Sequence, residues 1–268
     1  MSSEWHLHSV IDARATIADS VEIGPYCVIG PDVTIGPSTR LIGNVTIMGK
    51  VTIGRYNRFY PGSVIGGEPQ DVSYRGEPTA VEIGDHNVFR ESVTVNRGTV
   101  KDARVTRIGS HCYFMAGSHA AHDCQIGDHV ILANAVLLGG HVHVHDFASL
   151  AGGAAVHHYT TIGKYAFVGG LSRVIQDVPP FMLAEGSPAR PRYVNLVALK
   201  RNGFPADIIA AIAEAYRLLY RASSGLDQTR QVLRERGKLL PQVNELLHFV
   251  QNQHEGRNGR ARQLRRAA

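Results

Sequence analysis

The sequence predicts an all-β parallel β-helix followed by a small α-helical domain. Three observations carry that prediction. From Ile11 the chain reads IDARAT-IADSVE-IGPYCV-IGPDVT-IGPSTR, a six-residue period. It holds through Ile65, resumes at Ile83, Phe89 and Val95, and runs again from Ile108 to the unit at Val174. Of the 25 units, position 1 is Ile, Leu or Val in 21 and position 5 is Ala, Val, Cys, Thr or Ser in 22, so a large and a small residue recur in fixed alternation. The hexads stop at Pro179-Pro180, and beyond Tyr193 the apolar residues recur at helical spacing instead.

Each element follows from the hexad. Positions 5, 6 and 1 form a short strand with 5 and 1 facing inward and 6 outward. Positions 2 to 4 turn a corner, and glycine, at position 2 in eleven units, is expected to relieve the backbone there. Three strands close one coil of eighteen residues, and stacked coils pair as parallel strands about 4.8 Å apart. The position-1 exceptions are Phe59, Phe89, Phe114 and Ala120, and those at position 5 are Asn57, Pro69 and Asn87. The solenoid spans residues 1–190, with insertions at 71–82 and 101–107. Such loops on a rigid scaffold are usual places for ligand contacts. Gly186-Ser187-Pro188-Ala189-Arg190-Pro191 reads as a linker.

Residues 191–253 form the helical domain, expected to cap the open end of the solenoid. Pro205 opens a helix with the stripe Ile208, Ile209, Ile212, Ala215, Tyr216 and Leu219. A second helix begins near Asp227, and a third follows Pro241 with Val243, Leu246, Leu247 and Val250. Residues 254–268, with five Arg and one Glu, are expected to be a disordered basic tail.

Composition excludes several classes. Hydrophobic residues make up 44%, so the 268-residue chain should fold. No apolar run reaches the ~18 residues of a membrane span, and no signal peptide is expected at the N-terminus. The three cysteines, Cys27, Cys112 and Cys124, are odd in number, lack metal-ligand spacing and all fall at inward position 5, so a reducing, cytoplasmic setting is expected. The net charge of +5 includes +4 from the tail, so it is no evidence for a nucleic-acid-binding fold, and no nucleic-acid partner is expected.

The register also sorts the fourteen histidines. The units at Ala120, Leu138 and Val156 share one corner of successive coils. Their corner residues are Ala121-His122-Asp123, Gly139-Gly140-His141 and His157-His158-Tyr159. His119 lies just before this edge, and the insertion at 101–107 lies on it one coil earlier. A lone histidine at an exposed corner needs no function, and His143 and His145 are read that way. A cluster on one edge suits chemistry. A neutral imidazole is a general base near pH 7, a neighbouring carboxylate can orient it, and a glycine corner can offer an N–H to an oxyanion. The same histidines could instead hold zinc.

The strings GEPQDVSYRGEPTAVEIGDHNVFRESVTVNRGT, SHAAHDCQIGDHVILANAVLLGGHV, QDVPPFMLAEGSPA and VNLVALKRNGF resemble the UDP-N-acetylglucosamine O-acyltransferase family of lipid A biosynthesis over nearly the whole chain. The resemblance implies a homotrimer of left-handed parallel β-helices with active sites between subunits. It implies transfer of a 3-hydroxyacyl chain from acyl carrier protein, which carries it on phosphopantetheine, to the glucosamine 3-position of UDP-N-acetylglucosamine. No metal or organic cofactor is implied. His122 matches the general base, Asp123 the residue orienting it, and Gly140 the oxyanion donor. His141 and His157 match substrate contacts, His119 a nucleotide-sugar contact, and Gln70 and Asp71 sugar-binding positions. Asn195 and Arg201 match C-terminal residues near the acyl-phosphopantetheine and nucleotide, and Gly170 the position limiting acyl length. Ser73, Asn96, His158, Val197 and Asn202 depart from residues common in the family, which leaves the 3-amino sugar analogue open as acceptor. Two rival readings are a zinc-dependent hexapeptide-repeat carbonic anhydrase and a non-catalytic scaffold. The related N-acyltransferase carries an extra N-terminal domain, for which the hexads starting at Ile11 leave no room.

Overall fold

The computed structural model describes residues 6–257, 259 and 262. Strands of mostly two residues, such as Val28–Ile29 and Arg40–Leu41, wind into three sheets of nine, eight and ten strands. These are the first, second and third faces of a left-handed parallel β-helix. Successive coils hold the expected register, with Ile11 beside Ile29, Thr16 beside Thr34 and Glu22 beside Arg40. Both insertions leave the register intact, because Ile53 pairs with Ile83 and Ile83 with Ile108. Both bulge from one corner, between the first and second faces.

Positions 1 and 5 fill the prism. Ile23, Cys27, Ile29 and Val33 are buried, while the position-6 residues Glu22, Val28 and Arg40 are exposed. Burial pushes the Cys112 and Cys124 thiols up to about 12, as expected of residues used for packing. The exceptions to the repeat form a system of their own. Phe59, Phe89 and Phe114 stack inside the prism at 4.7 and 4.8 Å. Ala120 shares the coil of Phe114, so a small residue offsets a large one. Asn57 and Asn87 are buried yet satisfied. Asn57 Nδ2 donates to the Gly84 carbonyl and its Oδ1 accepts from Asn87 N–H. Asn87 Nδ2 donates to the Gly109 carbonyl and its Oδ1 accepts from Cys112 N–H.

The structure corrects the reason for the corner glycines. Positive φ falls mainly at position 4, where non-glycine residues such as Tyr26, Asp123 and His141 adopt about 60°; of the position-2 glycines, Gly66 alone has it, at 79°. Position-2 glycine is instead selected by the close approach of the next coil. A Cβ at Gly24 would stand 2.1 Å from the Ile42 carbonyl oxygen, a distance no side chain tolerates.

The expected linker is a hairpin. Met182–Gly186 and Ala189–Val194 pair antiparallel and extend the third face. Proline is tolerated there because the second strand lies at the sheet edge. Four α-helices follow among the described residues: α1 (Leu196–Arg201), α2 (Ala206–Tyr216), which runs on into a π-helical turn at Arg217–Arg221, α3 (Leu226–Glu235) and α4 (Pro241–His254). α1 was not expected; the others begin where the sequence placed them. Their core joins Leu199, Ile212, Ala215, Leu233, Leu246 and Leu247 to Phe181 and Met182 at the end of the solenoid. In the region expected to be disordered, α4 reaches His254, Gly259 is buried, and Arg262 packs on the solenoid. Residues 258, 260, 261 and 263–268 of that tail lie outside the described residues. Among the described residues, no helix is long and apolar enough to cross a membrane.

Candidate active site

The corner between the first and second faces gathers both insertions and the histidine cluster. Asp123 is its centre, with a side chain fully buried. Its Oδ1 accepts from the Thr99 N–H at 2.8 Å, and its Oδ2 from the Thr99 hydroxyl at 2.6 Å. The Asp123 N–H donates to the Thr106 hydroxyl at 2.8 Å. A carboxylate this well supplied with donors is fixed in place.

His122 Nδ1 lies 2.8 Å from Asp123 Oδ2. A carboxylate oxygen accepting at that nitrogen selects the tautomer with Nδ1–H donating, which leaves the lone pair on Nε2. The His122 side chain is 13% exposed, so the ring is largely buried but not sealed from solvent. Gly140 faces it directly. A Cβ on Gly140 would stand 2.6 Å from His122 Nε2 and 2.5 Å from Cε1, so only glycine leaves the ring its place.

Gly140 occupies position 3 of its hexad, where four other units carry Pro25, Pro31, Pro37 and Pro61. Proline has no N–H, so the fold does not need a donor at that position. Among the described residues, the Gly140 carbonyl accepts from Tyr159 N–H while nothing accepts from its own N–H. Gly140 thus carries an unused backbone donor and packs against the His122 ring, so the corner joins an imidazole to a donor of the kind an oxyanion requires.

His141 backs this pair. Its ring is edge-on to His122 at 5.1 Å and stacked on Tyr159 at 4.3 Å. Its Nδ1 is 3.3 Å from Asp102 Oδ2 and its Nε2 is 3.6 Å from Asp123 Oδ2. Burial holds its pKa below the usual imidazole value, against the pull of Asp123 and Asp102. His157 stands one coil further on, with its ring 3.8 Å from that of His158. His119 Nδ1 is 2.7 Å from the Thr94 hydroxyl, and burial lowers its pKa too. Two coils before His122, Gln70 is exposed, and Asp71 pairs with Lys101 Nζ at 2.5 Å. That hydrogen bond, with those from Ser73, holds the Asp71 carboxyl well below the usual carboxylate range.

The remaining sequence-predicted residues lie elsewhere. Asn195 caps α1: its Oδ1 accepts from Ala198 N–H, and its Nδ2 donates to the Tyr165 carbonyl. Arg201 is exposed in the last turn of α1. Gly170 is exposed at the corner between the third and first faces, where a Cβ would meet only the Gly152 carbonyl oxygen, at 3.4 Å. Sequence reasoning missed Thr99, Lys101, Asp102 and Thr106, which hold the site from behind. The only signal was the insertion at 101–107 on the same edge.

Ligand atoms of His122, Asp123 and His141 lie within 4.8 Å of one another, the grouping the zinc reading needs. Both Asp123 oxygens are already engaged by Thr99 and His122, so this donor set is spent on orienting an imidazole.

Comparison with known proteins identifies the family. Residues 177–259 match the second-domain model of UDP-N-acetylglucosamine O-acyltransferase, and residues 8–37 and 106–140 match the bacterial transferase hexapeptide model. An acyl-[acyl-carrier-protein]–UDP-N-acetylglucosamine O-acyltransferase of Herminiimonas arsenicoxydans is 45% identical over 255 residues, covering 94% of this chain and 97% of its own. Its namesake in Thiobacillus denitrificans is 47% identical at the same coverage. The crystal structure of the Moraxella catarrhalis UDP-N-acetylglucosamine O-acyltransferase superposes with a TM-score of 0.88 at 40% identity, covering 92% of this chain and 96% of that one. With relatives this similar over nearly their whole length, the chain belongs to the UDP-N-acetylglucosamine O-acyltransferase family.

Proposed function

We propose that this acyltransferase moves a 3-hydroxyacyl chain from acyl carrier protein to the glucosamine 3-hydroxyl of UDP-N-acetylglucosamine, the first step of lipid A biosynthesis. The observation that carries the reading is the Asp123–His122–Gly140 arrangement: an imidazole oriented by a buried carboxylate and packed against a glycine with an unused backbone N–H. His122 Nε2 takes the proton of the sugar hydroxyl as that oxygen attacks the thioester carbonyl carbon. The carbonyl oxygen becomes an oxyanion and accepts from Gly140 N–H. Collapse breaks the carbon–sulfur bond, and the imidazolium, stabilised by Asp123, returns the proton to the departing phosphopantetheine thiolate.

Around this centre, Gln70 and Asp71 bind the sugar, His119 the nucleotide-sugar, and His141 and His157 the substrate. Asn195 and Arg201 serve the acyl-phosphopantetheine and the nucleotide, and Gly170 sets acyl length. Gly170 lies on a different corner from His122, so an acyl chain reaching both is best accommodated between two copies, in a homotrimer. The reaction needs no metal or organic cofactor beyond the carrier's own phosphopantetheine, and its donor and acceptor place it in the cytoplasm.

The test is an acyl-transfer assay with UDP-N-acetylglucosamine, its 3-amino analogue, and carrier protein loaded with chains of graded length. Transfer to the hydroxyl sugar is expected. Amide formation only with the amino analogue would reassign the acceptor, and no transfer from any donor to either sugar would overturn the reading.

A further inference from the structure

Arg262 lies beyond the region matched by the family's domain model, which ends at residue 259. It nevertheless reaches the back of the catalytic corner. Its Nη2 donates to the His141 carbonyl at 2.9 Å and to the Tyr159 carbonyl at 2.6 Å. These residues hold the same corner position in successive coils, both at positive φ, 60° and 66°. Its Nη1 lies 2.8 Å from His143 Nε2, and its guanidinium carbon stands 5.8 Å from the centre of the Tyr159 ring. The approach is prepared by Gly259, which is buried against the solenoid. A Cβ there would stand 2.4 Å from the Asp177 carboxylate.

We propose that Arg262 is a positioning residue for acyl transfer, a clamp across two coils that fixes the corner carrying His141 and, through it, the setting of His122. The proposal rests on the acyltransferase reading above. A guanidinium suits the task because its planar fork offers five N–H donors in fixed directions, enough to hold two carbonyls and an imidazole at once. The mechanical path is short. Tyr159 stacks on His141, and His141 meets His122 edge-on. If the Tyr159 and His141 carbonyls drift apart, the His122 ring shifts against Gly140, where there is no slack. His143 reports on the contact. Arg262, His141 and His145 face it as cations or imidazoles and Asp102 as an anion, and burial together with Arg262 depresses its pKa to about 4.

The experiment compares Arg262→Ala and Arg262→Lys with wild type in the full-length chain. Arg262→Ala should lower kcat on the order of tenfold, with KM for the nucleotide sugar changed by less than about twofold and an unchanged circular dichroism spectrum at the assay temperature. Arg262→Lys should recover little, because one ammonium cannot span two carbonyls and a ring. Guanidinium ion at low millimolar concentration should restore part of the Arg262→Ala rate, and urea at the same concentration should not. Wild-type kcat in Arg262→Ala, or equal rescue by urea, would overturn the proposal. The His143 titration, followed by NMR in histidine-labelled protein, separates the two readings. If the wild type transfers no acyl chain, the acyltransferase reading fails on its own. An upward-shifted His143 titration in Arg262→Ala would still support the clamp, and an unshifted one would overturn it.

Discussion

An imidazole used as a general base has to be neutral, aimed, and confined to one tautomer. Asp123 supplies the aim and the tautomer for His122, and Gly140 supplies room for the ring. His122→Ala should therefore lower turnover by ~10²–10⁴-fold, with an unchanged circular dichroism spectrum because the residue sits at a corner outside the prism. Gly140→Ala is the sharper test, since it leaves every functional group in place. Its methyl would displace the His122 ring, and kcat should fall on the order of 100-fold while KM for the sugar holds. A variant retaining wild-type kcat would mean that the ring is not the base. At this scale the site was partly legible. The register alone placed His122, Asp123, Gly140, His141 and His157 on one edge. Thr99 was not legible, because position 5 reads as interior filler and only the structure turns its hydroxyl onto Asp123. Asp102 and Thr106 lie in an insertion without periodicity, where no pattern could place them.

Elements of two residues hold together only as columns, and the columns show where the repeat can bend. Asn57 and Asn87 break the small-residue rule but continue the ladder with side-chain amides in place of interior methyls. Asn87→Ala would leave the Cys112 N–H and the Gly109 carbonyl without these buried partners, so unfolding should cost roughly 2–4 kcal/mol less. A urea melt would read this as a lowered midpoint, and a midpoint within error of wild type would show that water replaces the amide. The hexads were legible because a period repeated through 25 units outweighs any single exception. The hairpin of Met182–Gly186 and Ala189–Val194 was not, since Gly, Ser and two prolines within the six residues Gly186–Pro191 read as a break. α1 has six residues, too few to show an apolar stripe, and its existence rests on the Asn195 cap.

For the whole molecule, four histidines carry a pH dependence of stability. Burial lowers the pKa values of His119, His141, His143 and His145 in the folded protein, whereas the unfolded chain titrates near 6.5. Below that value the unfolded state binds more protons, so stability falls as pH drops from about 6.5 toward about 4. His143 alone accounts for on the order of 3 kcal/mol across that window. Asp177, raised to about 6 by burial, works the other way and offsets part of the loss. Urea midpoints should therefore decline from pH 7.5 to pH 5, and a flat profile would contradict the burial of these rings. The coil register has a different consequence, for how such a chain can change over generations. Gain or loss of one eighteen-residue coil between Val21 and Leu41 preserves every contact at the distant corner and only alters the length of the shaft. Gain or loss of a single residue in a strand swaps inside for outside in every coil that follows. Length in this architecture is quantised, and the two insertions persist because they leave the chain at a corner, where extra residues cost the register nothing.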